Sequence, residues 1–151
     1  MNSTLEKNRI ISAIENGTVI DHIPSGQGMR IFKLLNLEKF DQCVTLGLNL
    51  PSHVIGKKDI IKLEGHEITE EESSRVAIFA PSTTIAIIRD GCVAKKFHVS
   101  LPEIIHDVIV CPNPRCITNH EKMTRRHSVS LVGKNIYLRC QYCEHLGFKE
   151  E

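Results

Sequence analysis

The sequence predicts an α+β fold: an antiparallel sheet carrying two helices in the split βαβ (ferredoxin-like) order, followed by a small, mostly-β domain. Three observations predict it. Short β-branched runs alternate with two segments of helical period, Pro24, Pro51 and Pro81 punctuate them, and four of the six cysteines crowd the last third.

Gly17-Thr18-Val19-Ile20-Asp21-His22-Ile23 reads as a strand stopped by Pro24. From Met29 to Leu37, Met29, Phe32 and Leu35, with Ile31 and Leu34, recur at helical spacing. Cys43 to Leu50 alternates, with Val44, Leu46, Leu48 and Leu50 expected on one face, and Pro51 ends it. A polar loop containing Gly56 leads to a strand from Asp59 to Glu64. Thr69-Glu70-Glu71-Glu72 is a capping box that opens a second helix, with carboxylates at its positive end, and Pro81 cuts that helix after Ala80. Thr83 to Ile88 is strand, Asp90-Gly91 signals a hairpin turn, and Cys92 to Val99 is strand again. Cys43 and Cys92 are expected as buried strand residues without a role. The boundary is expected at Val99-Ser100-Leu101-Pro102-Glu103, where Pro102 holds its neighbour extended, giving domains of residues 1–99 and 100–151.

Composition narrows the function. With 41% apolar and 25% charged residues in 151, the chain has ordinary globular usage. No apolar run approaches a membrane span. Met1 to Arg9 is polar without a signal-peptide pattern, so the chain is expected in the cytoplasm. A net charge of +1, no Trp and 5% aromatic residues argue against bulk attraction to nucleic acid and against base stacking.

Cys111-x4-Cys116 and Cys140-x2-Cys143 place two pairs of thiols on short turns, and four such sulfurs can meet at the corners of a tetrahedron around Zn²⁺. Four thiolates leave no open position for a water nucleophile, so the metal would be structural. His120, His127 and His145 lie near enough in sequence to stand in as ligands, although His145 follows Cys143 too closely to rank above the cysteines. Arg115, Arg125, Arg126 and Arg139 either offset the charge of the thiolates or simply face solvent. Lys57, Lys58, Lys62, Lys95 and Lys96 sit at strand ends beside Asp21-His22. Drawn together, Lys62, Lys96 and His22 would form a compact cationic pocket suited to a polyphosphate, whereas edge-strand lysines also serve solubility alone. No P-loop, dinucleotide fingerprint or nucleophile elbow is present, and nothing here reads as an enzyme.

Several longer motifs carry a resemblance: Gly17 to Pro24, Gly47-Leu48-Asn49-Leu50-Pro51-Ser52, Lys57-Lys58-Asp59-Ile60-Ile61-Lys62, Phe79-Ala80-Pro81, and Ser100-Leu101-Pro102 ahead of the cysteines. With the cysteine spacing, they make the chain, from about Arg9 onward, resemble the regulatory chains of aspartate carbamoyltransferase. The resemblance implies a non-catalytic subunit of pyrimidine biosynthesis. Its first domain would bind nucleoside triphosphates, with CTP inhibiting, ATP activating and UTP acting beside CTP, a magnesium ion accompanying the pair. Its second domain, held by one zinc ion on Cys111, Cys116, Cys140 and Cys143, would dock on the catalytic chain. Homodimers would bridge two catalytic trimers, three dimers to an assembly. Carried over by position, the nucleotide pocket would comprise Ala13, Ile14, Val19, Asp21, His22, Lys58, Lys62, Ile88, Val93 and Lys96. Ala86 stands where better-studied members carry an asparagine, and Gly91 where they carry a tyrosine, which leaves the nucleotide response open. Two other readings stand beside this one: a zinc-ribbon nucleic-acid module using Arg125-Arg126-His127, and an amino-acid-sensing domain of another enzyme.

Overall fold

The computed structural model describes residues 13–148, so the polar opening segment Met1 to Arg9 lies outside it. Strands β1 (Gly17–Pro24), β2 (Val44–Ser52), β3 (Gly56–Glu64), β4 (Thr84–Arg89) and β5 (Cys92–His98) form one antiparallel sheet in the order β2-β3-β1-β4-β5. Helices α1 (Gly28–Leu34) and α2 (Glu70–Phe79) cover one face of it. The first four strands and both helices have the split βαβ order, and β5 extends the sheet by one hairpin. A second antiparallel sheet follows, β6-β7-β8-β9, from Ile104–His106, Arg126–Val132, Asn135–Cys140 and Leu146–Phe148. No helix among the described residues is long and apolar enough to cross a membrane.

The main core lies between the first sheet and its helices. Ile20, Ile61, Leu46 and Ile85 stand side by side on adjacent strands and meet Ile31, Leu35, Val76 and Ala77 from the helices. Because side chains alternate along a strand, their neighbours Val19, Lys62, Thr45 and Ala86 all emerge on the opposite, helix-free face. Helix α2 opens on the capping box: Thr69 Oγ1 accepts the Glu72 N–H and Glu72 Oε2 accepts the Thr69 N–H, at 3.2 and 2.8 Å. The β4–β5 turn has Asp90 at φ 51° and Gly91 at φ 75°, the doubly left-handed pair that matches strand twist.

Asp59 ties the first sheet to α1. It is fully buried, and its carboxylate accepts backbone N–H bonds from Gly26 (3.0 Å), Gly28 (2.9 Å) and Asn49 (3.0 Å). One side chain thereby anchors the loop before α1, the start of α1 and an irregular point of β2. A Cβ on Gly28 would lie 2.8 Å from the Asp59 Cβ, so this approach excludes every other residue.

Four expectations need correction. Helix α1 ends at Leu34, not Leu37, because Asn36 turns left-handed (φ 52°) and a short 3₁₀ turn, Leu37–Lys39, follows. Leu48 does not share a face with Val44 and Leu46: β2 loses register between Gly47 and Leu50, Asn49 is left-handed at φ 58°, and Leu48 turns to solvent. Strand β3 begins at Gly56 rather than Asp59, since β2 and β3 pair through Ser52 and Gly56. Cys43 and Cys92 are exposed, one just before an edge strand and the other at the start of one.

The Asp59→Ala variant removes the acceptor of three backbone donors, the Gly28 N–H fully buried, and is expected to lose about 3 kcal/mol of unfolding free energy. A urea titration showing a loss below about 1 kcal/mol would remove Asp59 from this role.

Candidate functional site

Two places collect the residues singled out from sequence. The first is the helix-free face of the five-stranded sheet. The ladder aligns Thr45, Lys62, Val19, Ala86 and Lys96 in one row, one residue from each strand. Lys62 is 9% exposed, while Lys96 stands open on the edge strand. Strands β1 and β4 lie between the strands of Lys62 and Lys96. Three ladder steps of about 4.8 Å put their backbones about 14 Å apart, so they flank Val19 and Ala86.

One step along, Asp21 lies opposite Thr84, and Thr84 opposite His98. A register shift in β1 between Ile20 and Ile23, with His22 left-handed at φ 56°, re-aims this pair of polar residues. Asp21 Oδ1 then meets Lys58 Nζ at 2.9 Å and accepts the His22 backbone N–H at 2.7 Å. His22 Nδ1 lies 2.7 Å from Thr84 Oγ1. Burial by itself would raise the Asp21 carboxyl; the Lys58 ammonium and the His22 N–H outweigh it and hold the group below the usual carboxylate range.

Ile88 faces Val93 in register on the same side, Ile88 buried and Val93 exposed. Ala13 is exposed and Ile14 buried. Their segment is held to the β4–β5 turn by the Gly91 N–H on Glu15 O (2.8 Å) and the Asp90 N–H on Asn16 Oδ1 (3.1 Å). Thr45 was missed from sequence: only the β2–β3 register puts it beside Lys62, and no local signal gives that register. A groove of about 500 Å³ beside α2, reaching Ser73, Lys95 and Phe97, contains none of the ten residues carried over for the nucleotide pocket.

The second place is the cysteine cluster. Cys111 to Cys116 is a tight turn, closed by the Cys116 N–H on Asn113 O (3.0 Å), and the Asn119 amide donates to the carbonyls of Cys111 and Asn113. Cys140 ends β8, and the Glu144 N–H returns to Cys140 O at 2.9 Å, so Cys143 lies on a turn of its own. All four Sγ atoms lie within 4.8 Å of one another. Cys111 and Cys143 sulfurs are 3.6 Å apart and Cys116 and Cys140 sulfurs 3.7 Å, far outside disulfide length. A tetrahedral ion with Zn–S bonds of about 2.3 Å requires sulfurs about 3.8 Å apart, so the donor set and its spacing fit such an ion.

Taken without a metal, the thiols of the cluster differ in acidity. Burial above all pushes the Cys111 thiol up to about 12, while the Asn113 side-chain hydrogen bond chiefly draws Cys143 down to about 6. By themselves the sulfurs resist sharing four negative charges; a divalent cation removes that obstacle and would release the protons. The three histidines do not join the set. His120 Nε2 bonds Pro114 O at 2.8 Å, His145 is exposed and meets the cluster through its backbone alone, and His127 is buried in β7. Arg115, Arg126 and Arg139 face solvent, whereas Arg125 is half-buried with its Nε enclosed. Arg125-Arg126-His127 is therefore no basic surface patch, since His127 is 2% exposed.

The two sheets share apolar contacts. Ile78, on α2, packs with Ile105, Ile136 and Leu138 of the second sheet, and Leu101 touches both cores.

Known proteins match the chain over nearly its whole length. Residues 9–100 match the model of the aspartate carbamoyltransferase regulatory chain, allosteric domain, and residues 103–151 that of its metal binding domain. The regulatory chain of Pyrococcus abyssi is 44% identical over 143 residues, covering 93% of both chains. Those of Vibrio vulnificus (43%, covering 93% of this chain and 92% of the relative) and Photobacterium profundum (42%, covering 97% and 96%) are similar throughout. With both models and these full-length relatives in agreement, the chain belongs to the family of aspartate carbamoyltransferase regulatory chains, which are non-catalytic subunits.

Proposed function

We propose that the chain senses a nucleoside triphosphate on the open face of its first sheet and docks its second sheet on the catalytic chain of aspartate carbamoyltransferase. The observation that carries this reading is the row itself: Lys62 and Lys96 on either side of the small, apolar Val19 and Ala86, and the Asp21–Lys58 pair one step away. A nucleotide is an elongated ligand with a polyanionic tail and a flat, largely apolar base. Lysines on one or both sides suit the tail, Val19, Ala86, Ile88 and Val93 suit sugar and base, and Asp21 can accept a hydroxyl or amino hydrogen. CTP would inhibit, ATP activate, and UTP join CTP, as in the family.

Residues 1–99 would form the allosteric domain and 100–151 the docking domain, with one structural zinc on the four cysteines. Spacing near that of a Zn-thiolate tetrahedron supports zinc over a hard, oxygen-seeking cation. Val110, Ile117, Leu131, Val132 and Tyr142 are exposed on the second domain, more apolar surface than so small a unit needs in water, which supports docking there. Homodimers would bridge two catalytic trimers, three dimers per assembly, in the cytoplasm. A nucleotide would change catalysis only by binding one quaternary state better than another.

Lys62→Ala or Lys96→Ala is expected to weaken CTP binding by about tenfold or more, the loss of one charge-assisted contact, while Lys33→Ala on α1 leaves it unchanged. Calorimetric titrations giving equal affinities for all three would end the reading of this face. Chelation is expected to abolish amide protection after about residue 105 and to spare the first sheet; protection that persists throughout would show that the second domain does not depend on metal. Mixed with catalytic trimers, the zinc-loaded chain should yield one large species by light scattering and the stripped chain none. Assembly indifferent to zinc would detach docking from the metal site.

A further inference from the structure

His127 is the most enclosed polar side chain of the second sheet, and neither the fold nor the four-sulfur donor set uses it. It is 2% exposed, and neither ring nitrogen has a hydrogen-bond partner among the described residues. An imidazole kept dry and unpartnered destabilises a fold unless some state of the protein supplies a partner. Its place on the ladder says where that partner arises. His127 lies directly opposite Cys140 on β8 and, on its other side, opposite Ile105 on β6. Residues directly opposed in an antiparallel pair send their side chains to the same face, with Cβ atoms about 5 Å apart. Ile105 offers nothing polar. Cys140 offers a fully buried sulfur, 3.7 Å from that of Cys116.

A neutral thiol accepts hydrogen bonds weakly, whereas a metal-bound thiolate is charged and accepts strongly. We propose that His127 is a positioning residue of the metal centre: its ring N–H donates to the Cys140 thiolate once a divalent cation occupies the four cysteines. This rests on the metal reading of the cluster. In either protonation state an imidazole carries an N–H to give. The bond would spread the net negative charge of a four-thiolate site and fix the rotamer of one ligand, the task of outer-shell histidines and amides at metal sites.

The test uses the full chain, loaded with ¹¹³Cd and labelled with ¹⁵N in its imidazole rings. One slowly exchanging His127 N–H is expected, with a scalar coupling to ¹¹³Cd transmitted through the N–H···S bond. His127→Phe, which fills the same slot without a donor, should bind Co²⁺ about tenfold or more weakly and shift the sulfur-to-cobalt charge-transfer band. His127→Gln, which keeps an N–H, should recover most of both. Stoichiometric ¹¹³Cd without the coupling overturns the role of His127 while leaving the metal site standing, as would a buried water found on the ring in its place. Equal losses in the Phe and Gln variants reduce His127 to a space-filler and overturn it too. Failure of the chain to take up any ¹¹³Cd overturns the metal reading itself.

Discussion

The second sheet cannot be held by burial alone. Its enclosed aliphatics are Ile105, Ile136 and Leu138, and the residue that completes their cluster, Ile78, comes from α2 of the other domain. So few apolar side chains cannot offset the backbone entropy of ordering the segment that follows Pro102. What remains is the meeting of four sulfurs from two turns, Cys111–Cys116 and Cys140–Cys143, which closes a loop spanning nearly the whole unit. Each turn is preformed by its own backbone bonds, so a cation finds the pairs already shaped and has only to bring them together. The strands of the second sheet and the seat of Ile78 would inherit their order from that closure.

The first sheet solves a different problem with the same alternation that makes its core. Every strand residue sent toward the helices leaves its neighbour on the open face, so a row of five side chains there follows from the register of four ladders. The chain departs from that regularity where polar chemistry collects. The irregular step in β1 at Asp21 and His22, and that in β2 at Asn49, flank Lys58 and Asp59 of β3 on either side. Lys58 turns to Asp21 on the open face, while Asp59 turns inward to three backbone donors. Adjacent residues of one strand thus serve the surface and the scaffold.

This division explains what was legible in the sequence. Local chemistry was readable: the β-branched run into Pro24, the Thr69 capping box, the Asp90-Gly91 turn and the cysteine spacing each state their own geometry within a few residues. Leu48, Cys43 and Cys92 were misread because alternation predicts a face only while register holds, and because an edge strand has a neighbour on one side alone. The distance between Lys62 and Lys96 could not be read at all, since it depends on two strands lying between theirs. His127 gave no local sign either; a histidine among Arg125, Arg126 and Ser128 reads as surface until the pairing of β7 with β8 encloses it.

Helix α2 deserves weight in any account of communication between the two sheets. Val76 and Ala77 sit in the core of the first sheet, and Ile78, the next residue, sits in that of the second. One turn of helix therefore touches both. The linker adds a second contact, because Leu101 packs on both cores rather than swinging free between them. A ligand that altered the twist of the first sheet would have to carry α2 with it or give up the packing of Val76. Carrying α2 moves Ile78 against Ile105 and Leu138, beside the strand pair that ends in Cys140. Packed interfaces of this kind shift between discrete arrangements more readily than they stretch, so a small displacement on the open face need not fade before it reaches the metal domain.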